Sequence, residues 1–119
     1  MAARVEITID CRDLARTSAF WTALLGYAPA EPMDDRYWAA IDPRGHEPRL
    51  VFQLVDDAPP SGKSTVHLDV HVDDLESFAR TVVDLGGRRV DETAIAEAGS
   101  TWVRCADPEG NVFCLVLQR

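Results

Sequence analysis

The sequence predicts an α+β fold of two tandem βαβββ modules. Three observations carry this: an internal repeat spanning most of the chain, strict apolar alternation at the head of each copy, and a capped helical pattern directly after it. Slid by sixty-one positions, Val5-Glu6-Ile7-Thr8-Ile9 falls on Val66-His67-Leu68-Asp69-Val70, Asp13-Leu14 on Asp74-Leu75, Leu24 on Leu85 and Gly26 on Gly87. The same slide lays Leu50 to Val55 on Asn111 to Val116, with four of the six pairs identical. Asp42-Pro43-Arg44-Gly45 and Asp107-Pro108-Glu109-Gly110 precede these strands at a slightly larger shift, caused by the extra segment from His46 to Arg49.

Each copy opens on a half-buried strand, since Val5, Ile7 and Ile9, like Val66, Leu68 and Val70, recur with the two-residue strand period. Asp13 is placed to cap a helix carrying Leu14, Trp21, Leu24 and Leu25, and Asp74 one carrying Leu75, Phe78, Val82 and Leu85. Gly26 and Gly86-Gly87 stand where left-handed caps end such helices. Shorter strands follow at about 28–32, 37–41 and 50–55, then 88–91, 101–106 and 112–117. Asp57 to Lys63, with Pro59, Pro60 and Gly62, reads as the linker. We therefore expect a single domain over residues 1–119, with module one at about 4–57 and module two at about 64–118, its strands forming a cupped mixed sheet with the helices on the outer face.

Strand alternation sorts the side chains. Val5, Ile7 and Ile9; Leu50, Phe52 and Leu54; Val66, Leu68 and Val70; and Phe113, Leu115 and Leu117 belong under the helices. The opposite faces carry Glu6, Thr8 and Asp10; Val51, Gln53 and Val55; His67, Asp69 and His71; and Val112, Cys114 and Val116. The slide makes Glu6 the counterpart of His67 and Gln53 that of Cys114, and a pseudo-twofold axis is expected to gather the four in one constellation.

Composition narrows the function classes. The chain has 119 residues, 46% of them hydrophobic and 27% charged, as in ordinary globular proteins. Charges interrupt every apolar stretch well short of the roughly 20 residues that span a bilayer, and the amino terminus lacks the apolar core of a secretion signal. Cys11, Cys105 and Cys114 form no CxxC pair and are odd in number, which fits a reducing compartment and points to the cytoplasm. A formal charge of -8 repels a phosphate backbone, so nucleic acid is not an expected partner, whereas a cationic small molecule is tolerated.

Asp13-Leu14 through Phe20-Trp21 to Leu25-Gly26, the His67 strand running into Val72-Asp73, and Asp107-Pro108-Glu109-Gly110-Asn111 before the last strand together resemble the vicinal-oxygen-chelate superfamily. That superfamily includes glyoxalase I, extradiol dioxygenases, fosfomycin-resistance enzymes and bleomycin-binding proteins. Gly62-Lys63 shortly before His67-Leu68-Asp69 is similar to one glyoxalase-like branch of it, and is not a phosphate loop, since the following helix is missing.

The resemblance implies a divalent-metal site with His or Gln on the first strand, Glu late in the first copy, His opening the second and Glu on the final strand. Those positions hold Glu6, Gln53, His67 and Cys114, and only His67 keeps the usual identity. Glyoxalase I chemistry needs a carboxylate to move a proton, and extradiol cleavage needs two His and one carboxylate, so neither activity is expected. A mixed site for Zn, Ni or Fe built from Glu6, Gln53, His67 and Cys114 is the alternative to no cofactor. The leading expectation is a small-molecule-binding protein of the bleomycin-resistance kind. The alternative is a metal-dependent lyase, isomerase or dioxygenase-type enzyme using Glu6 and His67.

The expected ligand-binding residues are Glu6, Gln53, His67, Asp69, Trp102, Arg104 and Cys114. Each has a plain structural reading beside the functional one. His67 suits a hydrogen-bonded pocket histidine, with Asp69 orienting it. Cys114 suits a small buried hydrophobe, and Cys11 and Cys105 carry no functional expectation. Glu6 and Gln53 satisfy themselves by facing water. Trp21 reads as core, while Tyr37, Trp38 and Trp102 are either core or aromatic walls. Arg104 either clamps an anion or sits at an edge. Resemblance also implies a homodimer with a small organic molecule as partner.

Overall fold

The computed structural model describes residues 6–56, 67–97 and 99–118. Val5, Val66, Lys63 and the linker expected at 57–63 lie outside the described residues. The chain divides into two compact units, Met1–Pro59 and Pro60–Arg119, and each is a mixed sheet with one helix.

In the first unit, β1 (Glu6–Cys11) leads into α1 (Leu14–Leu25), followed by β2 (Glu31–Pro32), β3 (Tyr37–Ala40) and β4 (Arg49–Leu54). The sheet order is β1-β4-β3-β2, with β1 parallel to β4 and the other pairs antiparallel. Asp13 caps α1 as expected, its carboxylate accepting the Arg16 N–H at 2.9 Å. Gly26, at φ 72°, ends the helix in the left-handed region that a side chain resists. Phe20 and Trp21 meet edge to face and are buried, as are Leu50 and Phe52, so α1 covers the Leu50/Phe52 face against β3 and β4. Trp21 is core, as read from its helical position.

The second unit repeats this order with one added strand, β7: β5 (Asp69–Val72), α2 (Leu75–Asp84), β6 (Arg88–Arg89), β7 (Ile95–Glu97), β8 (Ser100–Ala106) and β9 (Val112–Leu117). β5 pairs parallel with β9, β9 antiparallel with β8, and β6 and β7 pair with successive stretches of β8. β7 falls between the strands expected at 88–91 and 101–106 and adds an element that the sequence pattern does not predict. Asp74 caps α2 through the Ser77 N–H at 3.0 Å. Val82 of α2 is buried, as are Val72, Val103, Cys105, Phe113 and Leu115 of the sheet, and a bidentate pair from Arg89 to Glu76 fastens β6 to the helix.

The two Asp-Pro turns are structural. Asp42 accepts the N–H groups of Arg44, His46 and Glu47, and the Arg44 guanidinium at 2.8 Å helps hold its carboxyl well below the usual range. Asp107 does the same work for Glu109 and Asn111. Both carboxylates are buried, and each organises the reversal between two antiparallel strands.

The pairing registers revise the repeat. Cys11 pairs with Leu54 and Val72 with Leu117. From Cys11 to Val72 is a step of 61, but from Leu54 to Leu117 is 63, so the last strands are offset by two residues from the ungapped slide. The structural counterpart of Cys114 is therefore Val51, not Gln53, and the counterpart of Gln53 is Val116. Two residues is the strand period, so every side chain keeps its expected face while its partners across the sheet change.

Candidate functional site

The face of the second sheet turned away from α2 carries a transverse row of polar groups. Asp69 on β5 lies opposite Cys114 on β9, which lies opposite Arg104 on β8. The row ends at Asp91, whose carboxylate takes the Arg104 N–H at 2.9 Å and the guanidinium Nη2 at 2.8 Å. Alongside runs a second row, His71, Val116 and Trp102.

Asp69 joins this row to His67, whose Nδ1 stands 3.0 Å from the Asp69 Oδ1. A ring nitrogen of His67, a carboxylate oxygen of Asp69 and the sulfur of Cys114 all lie within 4.8 Å of one another. Burial pushes the Cys114 thiol pKa up, and the neighbouring Asp69 carboxylate adds to the shift, while Arg104 opposes it. Asp91 is shifted the other way, chiefly by its hydrogen bond from Arg104. Arg104 was expected either to clamp an anion or to sit at an edge. Its guanidinium bonds the Asp91 carboxylate of its own chain.

The first unit places its expected residues differently. Glu6 pairs with the Arg49 guanidinium at 3.2 Å, and the Gln53 amide donates to the Tyr37 hydroxyl at 3.0 Å. Glu6 lies opposite Arg49 and Gln53 opposite Asp10 across the β1–β4 pair, so the two are about 13 Å apart along the strands. Tyr37 shares the Gln53 face, and Trp102 occupies the matching position in the second sheet. Trp38 lies opposite Phe52 on the helix-covered face, so it belongs to packing rather than to a ligand wall.

Residues 6–116 match the glyoxalase-like domain family, and the chain belongs to that family. Solved structures share the fold of the vicinal-oxygen-chelate superfamily. A glyoxalase/bleomycin resistance protein/dioxygenase family enzyme from Burkholderia phytofirmans PsJN superposes with a TM-score of 0.75 at 17% identity, covering 94% of this chain and 95% of that one. A member of the same superfamily from Sphaerobacter thermophilus DSM 20745 gives 0.71 at 20% identity, over 99% and 98%. A bleomycin-binding protein in complex with bleomycin gives 0.67 at 21% identity, over 99% and 100%. No curated protein matches by sequence.

The superfamily's divalent metal can be tested against these residues. Its usual set is rich in hard carboxylate oxygen. Here Gln53 gives its Nε2 to Tyr37 and has only a neutral amide oxygen to offer, the Glu6 carboxylate pairs with Arg49, and the final-strand position offers sulfur. Glu6 and Gln53 thus do not supply the carboxylate-rich half of the family's set, while His67 and Cys114 keep ligand-competent atoms. Asp69, expected only as a ligand-facing residue and an orienter of His67, is the group that joins His67 to Cys114.

Proposed function

We propose that this protein binds a small organic molecule on the open face of its second sheet, in the manner of the bleomycin-binding relative rather than of glyoxalase I. The observation that carries the proposal is the polar row Asp69, Cys114 and Arg104 with Trp102 beside it, all turned from α2. Trp102 supplies a flat apolar surface. Asp69 and His67 supply an acceptor and a donor, both at least one-third exposed at 50% and 39%. Asp91 already neutralises Arg104, so the face favours a cation or a neutral donor-bearing molecule over an anion, in keeping with the charge of -8.

Glu6 and Gln53 line the matching face of the first sheet and hold it through Arg49 and Tyr37. No helix among the described residues is long and apolar enough to cross a membrane. All three cysteines are free, and a cytoplasmic homodimer belongs to the same proposal.

The test is a thermal-shift and fluorescence titration with bleomycin, a panel of aromatic cations and their carboxylate analogues. Saturable stabilisation by cationic or neutral compounds, weakened at least about tenfold in Trp102→Ala, is expected. Stabilisation by the carboxylates alone, or binding unchanged in Trp102→Ala, overturns the proposal.

A further inference from the structure

We infer that His67, Asp69 and Cys114 form a three-ligand site for a borderline or soft metal ion, Zn²⁺ above all, contained within the second unit. This goes beyond the ligand-binding reading and does not depend on it. It also differs from the superfamily's metal set, because it recruits Asp69 and needs neither Glu6 nor Gln53.

The geometry comes first. The three potential ligand atoms lie within 4.8 Å of one another, and the His67–Asp69 pair is already at 3.0 Å. Tetrahedral zinc with bonds of about 2.0–2.3 Å sets its ligand atoms roughly 3.3–3.6 Å apart, so seating the ion asks for shifts of up to about 1.5 Å, within the reach of side-chain rotation. The backbone is fixed for this. Asp69 and Cys114 are direct partners across the parallel β5–β9 pair, and the Cys114 N–H donates to the Leu68 carbonyl, between His67 and Asp69, at 2.9 Å. His67 and Asp69 are 39% and 50% exposed, so both side chains have room to turn, and a tetrahedral ion held by three protein ligands keeps a fourth position for water.

The donor chemistry selects the ion. Imidazole nitrogen, one carboxylate oxygen and a thiol suit zinc, whereas magnesium, calcium and manganese want oxygen ligands throughout. Binding converts the Cys114 thiol to a thiolate and releases one proton to solvent. The ion then faces two negative ligands, Asp69 and the thiolate, and their charges balance a dication. Arg104 lies opposite Cys114, yet its charge is spent on Asp91 at 2.8 Å and does not expel a cation. In the first unit the register places Thr8, Val51 and Ala39 in the matching row, so the site has no counterpart there.

The experiment uses the whole chain, stripped with chelator, and the metal alone without any organic ligand. Co²⁺ titration reads sulfur ligation through the near-ultraviolet thiolate charge-transfer band, and competition with a chromophoric chelator reads Zn²⁺ affinity. We expect one ion per chain, a thiolate band lost in Cys114→Ser, and Zn²⁺ affinity lowered at least about tenfold in His67→Ala and in Asp69→Asn. His67 and Asp69 are exposed, so their variants report ligation even where Cys114→Ser unfolds. Absence of the band overturns the inference. So does binding that survives in both His67→Ala and Asp69→Asn, which marks adventitious capture by the acidic surface. An equal loss in Glu6→Gln returns the ion to the superfamily's set and also overturns it. Because the metal is titrated alone, failure of this site leaves the bleomycin and cation titrations of the chelator-stripped chain to stand or fall on their own.

Discussion

Asp69 stands directly opposite Cys114 across the parallel β5–β9 pair, and this pairing organises the polar face of the second unit. One strand further on, Arg104 completes the row and Asp91 closes it. The first unit has the same strand order, but its matching row is Thr8, Val51 and Ala39. Duplication therefore preserved the scaffold and its covered faces, while the groups able to bind or ligate differ between the copies.

The Arg104–Asp91 pair sets an acid dependence. The Asp91 carboxyl is depressed below the ordinary aspartate value, chiefly by its hydrogen bond from Arg104. A depressed carboxyl contributes stability above the unfolded value, near pH 4, and loses it as pH falls through the folded value. The pair has a partly exposed guanidinium, at 43%, so solvent screening keeps its contribution small. Urea unfolding of wild type and Asp91→Asn across pH 2–7 should show a gap that is constant above about pH 5 and closes toward pH 2. A gap that stays constant down to pH 2 removes the pair from the stability of this face.

Much of this architecture was legible because the signals are local. Asp13 and Asp74 cap the helices they precede, and the period of two sorted Phe52 from Gln53 and Phe113 from Cys114 onto the correct faces. The register was not legible, since a shift of two residues leaves the hydrophobic pattern unchanged and the shift of 61 happens to align identical residues. That is why Gln53 was matched to Cys114. Glu6 meeting Arg49 and Asp91 meeting Arg104 depend on pairing between distant strands, which single-strand periodicity does not encode. Asp69 beside His67 was visible in the strand period. Its reach to Cys114 needed the β5–β9 register.

Cys105 gives an alkaline counterpart. It is fully buried, and burial pushes its thiol from an ordinary value of 9.0 up to about 11. A raised folded value means the native state holds its proton longer than the unfolded chain. The associated stability is full below about pH 9 and is lost as pH rises to about 11. The loss is on the order of 2–3 kcal/mol, and it should flatten in Cys105→Ala relative to wild type, with Tyr27 titrating equally in both. Thiol labelling checks the same burial: Cys105 in the native protein should react far more slowly at pH 8 than after unfolding. Native labelling at the unfolded rate sinks the assignment.

Adjacent residues on β4 test the face assignment most sharply. Phe52 is fully buried against the α1 side, and its truncation to Ala leaves a ring-sized cavity, at a cost of about 3–5 kcal/mol. Gln53 points the other way and gives up one hydrogen bond, to the Tyr37 hydroxyl, when cut to Ala. Tyr37 then regains a partner from water, so the cost stays below about 1 kcal/mol. Equilibrium unfolding in urea should separate the two variants by at least about 2 kcal/mol in this order. Comparable losses would mean that both faces of the first sheet are packed, and would remove Gln53 from any open face. Retention of the expected order would confine the first unit's stability to the α1 side and leave the Gln53 and Tyr37 row free for substitution.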